Sequence, residues 1–133
     1  MGSDEGPDEI LEGLVLAVEE APRSARFVVV GQEDVLGPMI EAKPRLASAN
    51  VETHHASEII AMGEKPIAGI KQKKDSSMAR ALEMVKENEA DALLSCGNTG
   101  CLMAGGAIRL RTLDGVERPA LCTIWPGRER YFT

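Results

Sequence analysis

Ser95-Cys96-Gly97-Asn98-Thr99-Gly100-Cys101 puts two glycines, an amide, small hydroxyls and two thiols at one chain reversal. The apolar run Ala92-Leu93-Leu94 precedes it, and Leu102-Met103-Ala104-Gly105-Gly106-Ala107-Ile108 follows. The first N–H groups of a helix have no internal partners, and the helix dipole there favours an anion. Gly97 and Gly100 let the backbone approach a ligand closely, while Asn98 and Thr99 offer side-chain donors. A phosphate or carboxylate could sit here without any basic residue. The same residues also describe an Asn-capped strand-to-helix turn. The spacing is neither that of a Walker loop nor that of a dinucleotide fingerprint, so spacing alone leaves both readings open.

A second segment, Lys71-Gln72-Lys73-Lys74-Asp75-Ser76-Ser77, is the main basic cluster of an acidic chain, with Arg80 one turn on. Lysines before a helix start that carries hydroxyls suit phosphate, with Lys74, Ser76 and Ser77 the candidates; a solvated basic turn with serine caps is the plainer alternative. The third segment is Thr53-His54-His55-Ala56-Ser57-Glu58, followed by Glu64-Lys65-Pro66. Paired histidines after a strand serve as acid/base groups, as ligands or simply as surface residues. No Cys or carboxylate stands at zinc-like spacing, so no metal site is expected. Cys96, Cys101 and Cys122 form no CxxC, and Cys96 and Cys101 read as small apolar fillers.

The elements that must position these segments alternate between two periods. Ile10, Leu11, Leu14, Val15 and Val18 recur at helical spacing, which predicts a helix from Asp8 to Glu20. Arg26 to Val30 reads as a buried strand ending at Gly31. Glu33 to Leu46 reads as a second helix weakened by Gly37-Pro38 and Pro44, and Asn50 to His55 as a second strand. Ala56 to Lys74, punctuated by Gly63, Pro66 and Gly69, reads as a long functional loop with short helical turns. Ser77 to Glu87 is a helix with Asp75 or Ser76 as cap, Asp91 to Ser95 a third strand, Thr99 to Leu110 a helix, and Ala120 to Trp125 a fourth strand. Strands alternating with helices imply βαβ units and a parallel sheet between helix layers, with ligands at the carboxyl ends of strands. The chain reads as one unit over residues 1–133, with Arg130-Tyr131-Phe132-Thr133 starting what could be another strand and both ends looking cut.

Composition narrows the function classes. The net charge of -6 argues against a general nucleic-acid surface, and aromatic content of 3% implies an aliphatic core. No run approaches the length needed to span a bilayer. The acidic start "MGSDEGPDE" is unlike a signal peptide, which makes a cytoplasmic location the expectation.

Longer stretches carry a resemblance. His55 to Pro66, "HASEIIAMGEKP", Lys73 to Gly100, "KKDSSMARALEMVKENEADALLSCGNTG", and Arg118 to Pro126, "RPALCTIWP", closely resemble phosphate acyltransferases of the PlsX type, in matching order along the chain. The resemblance implies a Rossmann-like, three-layer α/β/α fold with a mostly parallel sheet, akin to isocitrate and isopropylmalate dehydrogenases and incomplete here at both ends. It implies formation of acyl phosphate from acyl-[acyl carrier protein] and inorganic phosphate in phospholipid synthesis. It implies acyl carrier protein, phosphate and an acyl chain as partners, a homodimer in the full-length family, at most peripheral membrane contact, and no cofactor. Gly97, Asn98, Thr99 and Gly100 would then line the phosphate, Lys74, Ser76 and Ser77 would orient it, and His55 and Lys65 would border the crevice; no catalytic residue is assigned. The family's first loop reads Met-Gly-Gly-Asp-His-Ala-Pro, whereas this chain has Met1-Gly2-Ser3-Asp4-Glu5-Gly6-Pro7 and no strand before it. Family members are more than twice as long, so a non-catalytic remnant, or a phosphate- or carrier-binding module of the same fold, stands beside the enzyme reading.

Overall fold

The computed structural model describes residues 2–123 in full and, beyond them, the backbone of Trp125–Pro126 and Tyr131–Phe132. Helix α1 spans Pro7–Glu20. Proline at its first position has the φ a helix needs, and Asp8 and Glu9 in the first turn suit the dipole. Strand β1, Phe27–Gly31, pairs in parallel with β2, Val51–His55, in a register running from Phe27↔Val51 to Gly31↔His55. The crossover between them holds two helices, α2 (Glu33–Glu41) and α3 (Pro44–Ala47), where the spacing predicts one. Pro44 is the reason. It has no amide to continue a helix and forces Lys43 into an extended conformation, φ −108° and ψ 96°.

Leu11, Leu36, Ile40 and Leu46 form one buried cluster, and Val29 and Val51 of the strands pack against it. α1, α2 and α3 therefore cover the strand pair through aliphatic side chains alone, as the low aromatic content requires.

The stretch after β2 is more ordered than its glycines and prolines suggest. It contains α4, Pro66–Gln72, which also starts on a proline. Helix α5 spans Ser77–Lys86 and α6 spans Thr99–Arg109. Ile60, Ile70, Met78, Leu82 and Cys101 make a second buried cluster from these three helices and the preceding loop. Glycine permits the close approach of α6. A Cβ on Gly105 would lie 2.4 Å from Leu82 Cδ1 and 3.1 Å from Ile70 Cδ1. The Arg109 guanidinium adds a 2.6 Å bond to Glu83 Oε2 between α6 and α5.

Two expected strands differ. Asp91 to Ser95 is irregular: Leu93 packs on the second cluster, but Leu94 is 92% exposed. A strand exists only as part of a ladder, and no strand among the described residues pairs with this run. Residues 120–123 are also irregular, and Ile124 lies outside the described residues. The final residue of that expected fourth strand, Trp125, instead belongs to β3, Trp125–Pro126, which pairs antiparallel with β4, Tyr131–Phe132. The described architecture is thus a mixed α/β fold with a small parallel sheet. None of its described helices is long and apolar enough to cross a membrane.

Leu82 is 1% exposed and sits where α4, α5 and α6 meet. Leu82→Ala is expected to cost about 2–5 kcal/mol, read as a lower urea midpoint with unchanged slope. A midpoint equal to that of the parent chain would show that this helix cluster does not carry the stability.

Candidate functional site

The three chemistry-bearing segments meet in one hydrogen-bonded assembly. The end of β2 delivers His55, and Ala56 N continues the ladder by donating to Gly31 O at 2.8 Å. Beyond it, Glu58 forms a parallel bridge with Ser76: Glu58 N donates to Asp75 O at 3.1 Å, and Ser77 N to Glu58 O at 3.3 Å. Asp75 N donates to Glu58 Oε2 at 2.9 Å. Ser57 donates to Asp75 Oδ2 twice, through its amide at 3.0 Å and through its hydroxyl. Arg80 Nε donates to Asp75 Oδ1 at 2.6 Å. The lysine-serine turn is thereby pinned to the segment that follows the histidines.

These bonds set the charge state of Asp75. Above all the Ser57 hydroxyl, then the Ser57 amide and the Arg80 guanidinium, hold its carboxyl far below the usual carboxylate range. Glu64 is held low as well, first by Lys73 and then by the Ala61 amide. Lys73 Nζ reaches Glu64 Oε1 at 2.5 Å and Ile59 O at 2.6 Å. Lys73 is therefore half-buried and committed, whereas Lys65, Lys71 and Lys74 are exposed and form no ion pair among the described residues. The sequence pattern favours Lys74 over Lys73, because the turn of α4 that aims Lys73 inward is hidden behind Gly69 and Pro66.

Asn98 joins this assembly to α6. It is 7% exposed, and its Oδ1 accepts from Cys101 N at 3.0 Å as the helix cap. Its Nδ2 faces three carbonyl oxygens of one turn: Met62 at 2.8 Å, Glu64 at 3.0 Å and Ala61 at 3.3 Å. Gly100 fits against the next residues of that turn, since a Cβ there would come 2.7 Å from Pro66 Cγ. Gly97 N donates to Ser95 Oγ at 3.2 Å. Thr99 is exposed, and no described residue accepts the amide hydrogen of Thr99 or Gly100. Gly2 closes the arrangement from the N-terminal side: its φ is +88°, and a Cβ would lie 2.3 Å from Ile60 O.

The sequence-derived candidates divide accordingly. Asn98 and Gly100 meet the two residues that flank Lys65, namely Glu64 and Pro66, while Gly97 and Thr99 are their neighbours in the chain. Ser76 has no exposed surface; its hydroxyl donates to Lys73 O at 2.8 Å and accepts from Ala79 N at 3.3 Å, so it acts as the cap of α5. Ser77 is half-buried beside it, and Lys74 is exposed. His55 stands apart. Its Nδ1 accepts from Glu33 N at 3.4 Å, and it lines an open depression of about 580 Å³ with Gln32, Glu33, Asp34 and Ser57. Cys101 is a buried filler against Gly69 and the second cluster, and burial pushes its thiol pKa up. Cys96 is exposed and so is not a filler. No group of described His, Cys, Asp and Glu residues has the arrangement of a metal site.

The family model described as fatty acid synthesis protein matches residues 1–133. The chain belongs to that family. It is 40% identical over 127 residues to a phosphate acyltransferase of Methylococcus capsulatus, covering 96% of this chain and 37% of that protein. It is 42% identical over 128 residues to the phosphate acyltransferase of Cereibacter sphaeroides, with 96% and 34% covered. The corresponding protein of Lysinibacillus sphaericus is 40% identical over 126 residues, with 95% and 36% covered. The chain spans about a third of the length of these curated relatives.

Asp75 makes a pH prediction with a definite sign. Its folded-state pKa lies below the unfolded one, so its contribution is full above the unfolded value and is lost as pH falls. The parent chain should therefore lose more stability than Asp75→Asn on acidification below about pH 4, in denaturant titrations at several pH values. Parallel pH profiles for the two proteins would contradict the Ser57–Asp75–Arg80 assembly.

Proposed function

We propose that this chain supplies the phosphate-handling part of an acyltransferase that makes acyl phosphate from acyl-[acyl carrier protein] and inorganic phosphate, in phospholipid synthesis. The observation that carries the reading is the start of α6. The Thr99 and Gly100 amides have no acceptor among the described residues, and Gly100 packs against Pro66, next to the exposed Lys65, in a chain that aligns over nearly its whole length with phosphate acyltransferases. Helix-start amides and exposed lysines suit a dianion. The open depression at His55 suits it less, because Glu33 and Asp34 stand on its wall.

In this reading phosphate is the nucleophile and needs no covalent enzyme group. The protein holds it, aligns it on the thioester carbonyl and stabilises the developing oxyanion. The Thr99 and Gly100 amides, Lys65 and Lys74 take the phosphate, with Ser77 and Gly97 at the border. Ser76 serves by capping α5. His55 is left as a residue of the α2 entrance rather than a phosphate ligand. The proposal includes the finer features of the resemblance: a Rossmann-like layered sheet, acyl carrier protein and an acyl chain as partners, a homodimer, a cytoplasmic setting and no cofactor. A second reading of the same residues is a phosphate- or carrier-binding module without turnover.

Saturating inorganic phosphate is expected to raise the melting temperature of the purified chain, and Lys65→Ala combined with Lys74→Ala to remove most of that rise. No rise with phosphate would overturn the phosphate site. Mixing the chain with acyl-[acyl carrier protein] and phosphate separates the two readings: acyl phosphate release supports the enzyme, and binding without release supports the module.

A further inference from the structure

We infer that Asn98 is a positioning residue: its side chain locks the turn 61–64 onto the start of α6 and thereby fixes the backbone that leads into Lys65, without touching the anion itself. This inference rests on the proposed phosphate reading only for its functional consequence. The donor and acceptor inventory of the carboxamide supports it. One Nδ2 group has two hydrogens, and three carbonyl oxygens, of Ala61, Met62 and Glu64, converge on it within 2.8–3.3 Å. Oδ1 is occupied by Cys101 N at 3.0 Å. At 7% exposure, no donor of this side chain remains for a ligand. A turn that aims three carbonyls at one point is electronegative there, and the Asn98 amide hydrogens are what fill it. The same turn is tied from its other side, where Glu64 N donates to Ala61 O at 3.2 Å and Ala61 N to Glu64 Oε1 at 2.8 Å. Lys73 adds its bond to Glu64 Oε1. Releasing Asn98 therefore loosens this turn from α6, just ahead of Lys65, and leaves the α6 amides in place.

The test separates cap from clamp. Asn98→Ser keeps a good helix cap for Cys101 N but is too short to reach the turn. Asn98→Asp keeps Oδ1 and sets a carboxylate against three carbonyl oxygens, which raises its pKa. In both variants of the full chain, amide hydrogen exchange at Ala61 and Glu64 should quicken about tenfold or more, while the α6 amides from Leu102 onward stay protected. Inorganic phosphate, titrated by calorimetry, should bind about tenfold more weakly. In Asn98→Asp the exchange at Ala61 and Glu64, corrected for the intrinsic rate, should slow towards that of the parent chain as acid protonates the new carboxyl. Unchanged exchange at Ala61 and Glu64 would overturn the inference, as would quickened exchange with undiminished phosphate affinity. Weaker phosphate binding with unchanged exchange would make Asn98 a direct ligand and overturn it as well. Absence of phosphate binding by the parent chain would sink the phosphate reading, and the exchange measurement would still decide the clamp.

Discussion

One buried carboxamide joins the start of α6 to the turn that leads into α4. Asn98 caps α6 with its oxygen and gathers the 61–64 turn with its nitrogen. A primary amide taken out of water costs a few kcal/mol unless its hydrogen bonds are replaced. Here each hydrogen and the oxygen have protein partners, so burial becomes a source of definition. The helices on either side can then approach closely: α6 reaches α4 over Gly69 and Gly100, and α5 over Gly105. Small residues at those contacts and the amide at the junction are two sides of one constraint. The backbone at the start of α6 must come near another backbone without a side chain between them.

Charge follows the same logic. The chain carries a net charge of -6, which disfavours a dianion everywhere except where acids are neutralised locally. Around the lysine-serine turn, Asp75 is held by Ser57 and Arg80, and Glu64 by Lys73. Those carboxylates are satisfied by named partners, while Lys65 and Lys74 keep their charges unpaired among the described residues. The local balance at the helix starts is therefore less negative than the whole chain suggests. The depression beside His55 lacks this compensation, since Glu33 and Asp34 face it directly. Fixed backbone donors plus nearby cations are the arrangement that acyl transfer from a thioester to phosphate would use on the proposed reading.

Much of this was legible from residue pattern, and the exceptions share a cause. α1, α5 and α6 follow the spacing of their apolar residues, and Ser76 and Asn98 sit at caps where hydroxyl and amide residues belong. β1 and β2 stand out because β-branched residues end at Gly31 and at the histidines. Helix α4 was hidden because its glycine is read as a breaker, whereas Gly69 is there to let Cys101 pack against it. Ala92 to Ser95 has strand-like residues, yet strand formation depends on a partner edge that no local window contains. The site was legible as a set of segments but not as a geometry. Sequence identifies Asn98 as a cap, because a cap is local. Its carbonyl partners lie 34 to 37 residues earlier, and only the folded chain brings them to it. The difference between Lys73 and Lys74 is equally non-local, being set by which of them turns towards Glu64.

On the proposed reading an anion is held by the backbone at the start of α6. The most direct measurement is a titration of the isotopically labelled chain with inorganic phosphate, followed by amide resonances. The Thr99 and Gly100 amides are expected to shift most, with Lys65 and its neighbours following at the same midpoint. Shifts centred on His55 and Glu33, with Thr99 and Gly100 unmoved, would contradict it.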